Sequence, residues 1–119
     1  PRTNLPILQK LVAAYKIWHI YLRHFPKDLR YTLGAKIDLL FVEITEALFI
    51  ASALVREQKI PYLRRASLKL DLLKFFLQVA WESRALDTKK YIELSEYLVE
   101  VGRQIGGWQK QVIRKGNPA

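Results

Sequence analysis

An antiparallel, up-down four-helix bundle, all-α, is the fold this sequence predicts, and three observations predict it. Apolar residues recur at spacings of three and four along almost the whole chain. No stretch alternates with the period of a strand, and prolines and short polar turns cut the chain into four long segments. Connections of a few residues make neighbouring helices antiparallel, the simplest topology for such segments. The 119 residues read as one domain, 1–119, with helices at about 5–25, 29–58, 62–84 and 88–113.

The first helix starts after Asn4, a suitable N-cap, with Pro6 in the opening turn, where its missing N–H is not needed. Leu8, Leu11, Val12, Tyr15, Trp18, His19 and Leu22 form its apolar stripe, and Pro26 ends it. His19, on that stripe, is expected to be a hydrogen-bonded core residue. In the second helix Ile37, Leu40, Phe41, Ile44, Leu48, Ala51 and Val55 share one face, and Pro61 separates it from the third. There the stripe is Leu63, Ala66, Leu70, Leu73, Leu77 and Ala80. Asp87 is a good N-cap for the fourth, with Leu86 placed to staple onto Tyr91. Tyr91, Leu94, Leu98, Val101, Ile105 and Trp108 then follow a heptad-like seam.

The third helix carries a second apolar face. Leu68, Leu72, Phe75 and Val79 lie opposite the core stripe, within about 60° of one another at 100° per residue. Leu39, Val42, Phe49 and Ala53 repeat the feature on the second helix, interrupted by Glu46. Wide stripes filling a thick core would account for the second helix alone. Two stripes back to back on the third predict a subunit interface, hence a homo-oligomer.

Lys and Arg number 20 against 11 Asp and Glu, a net charge of +9 that attracts polyanions, whether nucleic acid or anionic membrane. Up-down topology gathers Arg2, Lys10, Arg56, Lys59, Arg64, Arg65, Lys69, Arg103, Lys110, Arg114 and Lys115 at one end, where the nearby acids are Glu57 and Glu100. Charges at the other end are closer to balance. Arg64, Arg65 and Lys69 open a helix, where the dipole disfavours cations, so another requirement selects them. One-sided Lys and Arg excess is the footprint of phosphate-backbone binding, against the alternative of a solvated face that aids solubility. Tyr62, beside Arg64 and Arg65, is the one aromatic placed for stacking there.

Catalytic signatures are missing. No Cys is present, and His19 and His24 offer little for metal or acid–base work. There is no Glu-x-x-His pair, His-Glu-x-x-His, phosphate-binding glycine loop, Gly-x-Ser-x-Gly or deaminase signature. Glu43 and Glu46, or Glu93, Glu96 and Glu100, read as solvated or ion-paired carboxylates. No enzyme activity, cofactor or metal site is expected. Nor is a membrane span, since no run of about 18 apolar residues is free of charge. The opening residues lack the pattern of a secretory leader, and with no Met in the sequence the initiator is expected to have been trimmed.

Glu100-Val101-Gly102-Arg103-Gln104-Ile105-Gly106-Gly107-Trp108, followed by Ile113-Arg114-Lys115-Gly116, resembles the accessory variability determinant proteins of diversity-generating retroelements. Tyr31-Thr32-Leu33-Gly34, Leu63-Arg64-Arg65-Ala66-Ser67 and Lys69-Leu70-Asp71-Leu72-Leu73-Lys74 also fit a broader set of four-helix proteins, including those encoded in ribosomal RNA intervening sequences. The likeness covers nearly the whole chain, and the Gly102, Gly106, Gly107, Trp108 segment is its most specific part. In that segment the glycines permit close backbone approach and Trp108 supplies an anchor.

What the first resemblance implies is a pentameric ring of basic subunits that binds the retroelement's reverse transcriptase and template-repeat RNA or other nucleic acid, without catalysis of its own. Such a protein would support mutagenic cDNA synthesis and retrohoming in a bacterial or phage-encoded, cytoplasmic setting. By matching position, Arg64, Arg65, Lys69, Arg103, Arg114 and Lys115, with Lys110 at the same end, are the expected nucleic-acid or polymerase contacts. The alternatives are an intervening-sequence-type bundle of unassigned activity, or a basic scaffold on anionic membrane.

Overall fold

The computed structural model describes residues 5–116, with side chains through Arg114. Asn4, Arg2 and the Lys115 side chain, all invoked above, lie outside the described residues. Four helices run up and down: α1 (Pro6–Leu22), α2 (27–53), α3 (Ile60–Glu82) and α4 (Thr88–Gly116). No strand occurs among the described residues. The bundle extends 53 × 24 × 21 Å, so its ends are several Debye lengths apart and act as separate electrostatic regions.

The core is a single cluster with no buried polar or charged residue among those described. Leu94, Leu98, Val101 and Ile105 of α4 pack inward, as do Leu63, Ala66, Leu70, Leu73, Leu77 and Ala80 of α3, in the predicted registers. On α1 the buried stripe is Ile7, Leu8, Leu11, Ala14 and Trp18. It lies slightly to one side of the predicted face, which leaves Val12 44% exposed and His19 exposed, stacked on Tyr15. His19 is therefore a surface residue. Trp18 takes the central place instead. Its Nε1 donates to Asp38 Oδ1 at 3.0 Å, and its ring meets Phe25 edge-on and Phe41 face-on.

α2 is not a uniform helix. After the turn Lys27–Leu29 the chain widens into a π-helical stretch, Arg30–Gly34, before regular α-helix resumes over Ala35–Ala53. Gly34 lets α1 pack closely there, because a Cβ would stand 2.6 Å from Leu22 Cδ1 and that side chain would have to move. Arg30 seals the α1–α2 corner: its Nη2 donates to the carbonyls of Arg23 at 3.2 Å and Phe25 at 3.1 Å. Those carbonyls follow the end of α1, where no helical N–H is available.

Periodicity predicts α2 to about residue 58, but the chain leaves helical conformation at Leu54 (ψ 166°) and Val55 is 68% exposed. A 3₁₀ turn, Arg56–Lys59, then leads directly into α3, whose Pro61 sits in the first turn rather than in the linker. Lys59 closes the helix end that this leaves. Its ammonium donates to the carbonyls of Ala51 and Leu54, capping the helix, and burial pushes its pKa down.

At the opposite end α3 closes in a Schellman motif. Ala85 N–H donates to Ala80 O at 2.8 Å and Arg84 N–H to Trp81 O at 3.0 Å, with Arg84 left-handed at φ 63°. Asp87 caps α4 as expected, accepting from the Lys90 N–H at 2.9 Å.

Candidate nucleic-acid interface

The up-down path brings the start of α1, the 56–59 turn, the start of α3 and the last turns of α4 to one end. Lys59 Nζ lies 5.6 Å from the Trp108 ring centroid, tying that turn to α4. Leu5–Ile7 share a groove with Trp108, tying α1 to α4.

Of the predicted site residues, Arg64 and Arg65 are exposed on the first turns of α3, and Lys110 and Arg114 are exposed on the last turns of α4. None of the four makes an ion pair among the described residues, and neither does the exposed Arg56. Arg65 instead lies 5.0 Å above the Tyr62 ring, so Tyr62 serves first as a platform for that guanidinium. Arg56 holds a φ of 29°, which side-chain-bearing residues rarely adopt, so the tight turn is strained at a cationic residue.

Two predicted contacts are already engaged. Lys69 bridges to Glu43 of α2 at 3.2 Å, half-buried between helices. Arg103 donates from Nε and Nη2 to both Glu100 oxygens, and that hydrogen bonding holds the Glu100 pKa down to about 2. Lys10, over the Tyr97 ring at 5.2 Å, is likewise satisfied within the protomer. The cations at this end with neither an ion pair nor a ring partner among the described residues are thus Arg56, Arg64, Lys110 and Arg114. Arg65 is exposed but rests on Tyr62, and Arg103 is available only in competition with its carboxylate. Unpaired guanidinium and ammonium groups gathered on one surface offer a phosphate backbone several contacts without breaking existing ones.

The glycines of α4 divide by role. A Cβ at Gly102 would sit 3.3 Å from Leu70 Cδ2, so Gly102 serves the α3–α4 packing. At Gly106 and Gly107 a Cβ would meet nothing within 4 Å. The helix does not end there but continues to Gly116. Each interior helical glycine costs about 1 kcal/mol relative to alanine, with no packing within the protomer to offset it.

The outer apolar face lies along the sides of the bundle. Leu68 is 63%, Phe75 56% and Leu72 39% exposed, with Val79 half-buried beside them. A separate apolar groove, about 390 Å3, runs between α1 and α2 and is lined by Val12, Val42 and Phe49 among others. The Glu43–Lys69 seam between α2 and α3 separates the two. A monomer seldom leaves this much large apolar side chain in water.

Sequence reasoning missed Lys59 as a capping residue, and it missed Gln104 and Gln111, which share the Trp108 groove. Their spacing of one heptad put them on one face, but only the packing of α1 on α4 shows that this face borders a cavity.

Fold and surface together define a small helical bundle with one cationic end and an apolar flank. The sequence model of the bAvd-like family matches residues 5–112, and the chain belongs to that family. None of the curated proteins compared with the chain matches it significantly. No helix among the described residues is long and apolar enough to cross a membrane.

Proposed function

We propose that this protein is a non-catalytic, cytoplasmic accessory subunit of a diversity-generating retroelement. It holds nucleic acid and the element's reverse transcriptase on its cationic end while the polymerase performs the chemistry. Membership in the bAvd-like family supports this reading. The observation that carries it is the set of unpaired cations, Arg56, Arg64, Arg65, Lys110 and Arg114, gathered at one end. Copies of the chain assemble into a ring, the Leu68–Leu72–Phe75 ridge of one entering the α1–α2 groove of the next. A ridge and a groove on different helices suit head-to-tail closure, which generates rings, better than a two-fold dimer. The ring then multiplies the cationic end.

Light scattering is expected to give a mass of several subunits at micromolar concentration, pentameric by family likeness; a monomer overturns the ring. Affinity for RNA is expected to fall steeply with salt, and Arg64→Glu with Arg65→Glu to weaken it at least tenfold with the melting temperature nearly unchanged. Each lost phosphate contact should lower the slope of log affinity against log salt by about 0.7–0.9. Unchanged affinity and slope in that variant, or binding to anionic vesicles but not to RNA, would refute the reading.

A further inference from the structure

A groove of about 320 Å3 lies between the start of α1 and the last third of α4 on the cationic end. Leu5, Pro6 and Ile7 form one wall and Trp108 joins them, giving apolar contact surface. Gln104 and Gln111 bring two amide groups to the same groove, and Arg103 brings a guanidinium. Gln104 Nε2 donates to Glu100 Oε1 at 3.2 Å, which leaves its Oε1 for a ligand, and Arg103 is held by the same carboxylate. Gly107 also lines it, and a side chain there would project into open space.

This mixture selects a particular ligand. A groove for an apolar helix would not need amides and a guanidinium, and a purely ionic site for phosphate would not need tryptophan and isoleucine. A flat heteroaromatic ring with hydrogen-bonding edges, attached to a phosphate, uses all of them. Neither Gly106 nor Gly107 is required by packing within the protomer, and both leave space for close approach from outside. Lys110 and Arg114 stand three residues beyond Gly107 and Gln111, on the same side of the helix, where the flanking backbone of a bound strand would run.

We propose that the groove holds one unpaired nucleobase of a single-stranded nucleic acid, packed on Trp108, with the Gln111 amide and the Gln104 Oε1 meeting its edge and Arg103 turning from Glu100 to its phosphate. The inference rests on the nucleic-acid reading above and narrows it: the strand is recognised where it is single-stranded, because duplex bases have both faces covered.

Gly107→Leu tests it. Position 107 has room for a side chain and leucine is the better helix former, so the variant is expected to fold with at least wild-type thermal stability. Its side chain fills the groove. Anisotropy is measured with a labelled single-stranded 12-mer of uridine and with an RNA duplex of the same length. The wild type is expected to prefer the single strand. In Gly107→Leu the single-strand affinity should fall about tenfold and the duplex affinity stay within about twofold. Equal single-strand affinity in variant and wild type overturns the base site and leaves the cationic-end reading standing. Parallel loss of both ligands also overturns it, since the groove would then be a path for backbone. A wild-type protein that binds neither RNA removes the parent reading and this inference with it.

Discussion

At the end of the bundle formed by residues 23–34 and 83–93, two cations, Arg30 and Lys90, are engaged inside the protomer. Arg30 holds two carbonyls of the α1–α2 corner, and Lys90 pairs with Asp87 while covering the Tyr21 ring. Arg23, Lys27, Arg84 and Lys89 are exposed there without an ion pair among the described residues. At the other end Arg56, Arg64, Lys110 and Arg114 are exposed without an ion pair among the described residues. Both ends carry basic residues on helix termini, so the presence of cations alone does not distinguish them. The ends differ in balance, since Asp28, Glu82, Asp87 and Glu93 stand among the cations of the first and only Glu57 and Glu100 among those of the second. Within either end the difference between residues is whether the backbone and nearby acids have already used the charge. Where they have, the residue stabilises the fold; where they have not, it remains for a partner.

Substitution should separate the two kinds of cation. Arg30→Met is expected to cost about 2 kcal/mol, because charge-assisted hydrogen bonds to carbonyls are worth about 1.5–3 kcal/mol each and partly relax on removal. Arg64→Met, the same chemical change at the other end, should stay within about 0.5 kcal/mol. Urea denaturation midpoints compare them directly. Equal effects would show that engaged and unengaged cations do not differ in this way.

A smaller effect of opposite sign is expected at Arg84. The Schellman motif needs a left-handed residue, and an arginine at φ 63° pays the steric penalty that glycine avoids. Arg84→Gly should raise stability by about 0.5–1 kcal/mol, whereas Arg84→Ala should not. If both variants match the wild type in urea, the left-handed cap carries no strain.

Much of the bundle could be read from the sequence because the signals were local. The core registers of α3 and α4 follow from the spacing of Leu63 to Ala80 and Leu94 to Ile105, and the Asp87 cap from its place before the seam. The end of α2 was not legible, since Val55 keeps the apolar period while the helix stops two residues earlier. What caps it is a lysine reaching back eight residues to Ala51 O, which no periodicity contains. The cationic end was visible as a cluster of charges, but not which of them are free. Arg103 with Glu100 is a three-residue helical spacing open to inspection. Lys69 with Glu43 depends on how α2 and α3 slide against each other, and only the packed structure settles that register.

The smallest expected effects come from pH, and they too differ by end. At the α1–α4 corner the Tyr21 hydroxyl donates to Glu93, and that bond, with burial and the Glu93 and Asp87 charges adding to it, pushes its pKa up to about 12. A raised folded-state pKa stabilises below the ordinary tyrosine value of 10.0 and loses that contribution as pH climbs toward 12. Glu100 is the reverse case. Its carboxyl is held down to about 2, so its contribution is present above 4.5 and lost as pH falls toward 2. The stability gap between wild type and Tyr21→Phe should therefore close only in alkali, and that between wild type and Glu100→Gln only in acid. Both gaps are expected to be small, since these groups are largely solvent-screened. Denaturation midpoints measured across pH would show it; a Glu100→Gln gap that persists unchanged to pH 2 would mean that Arg103 is not held by that carboxylate and belongs with the free cations.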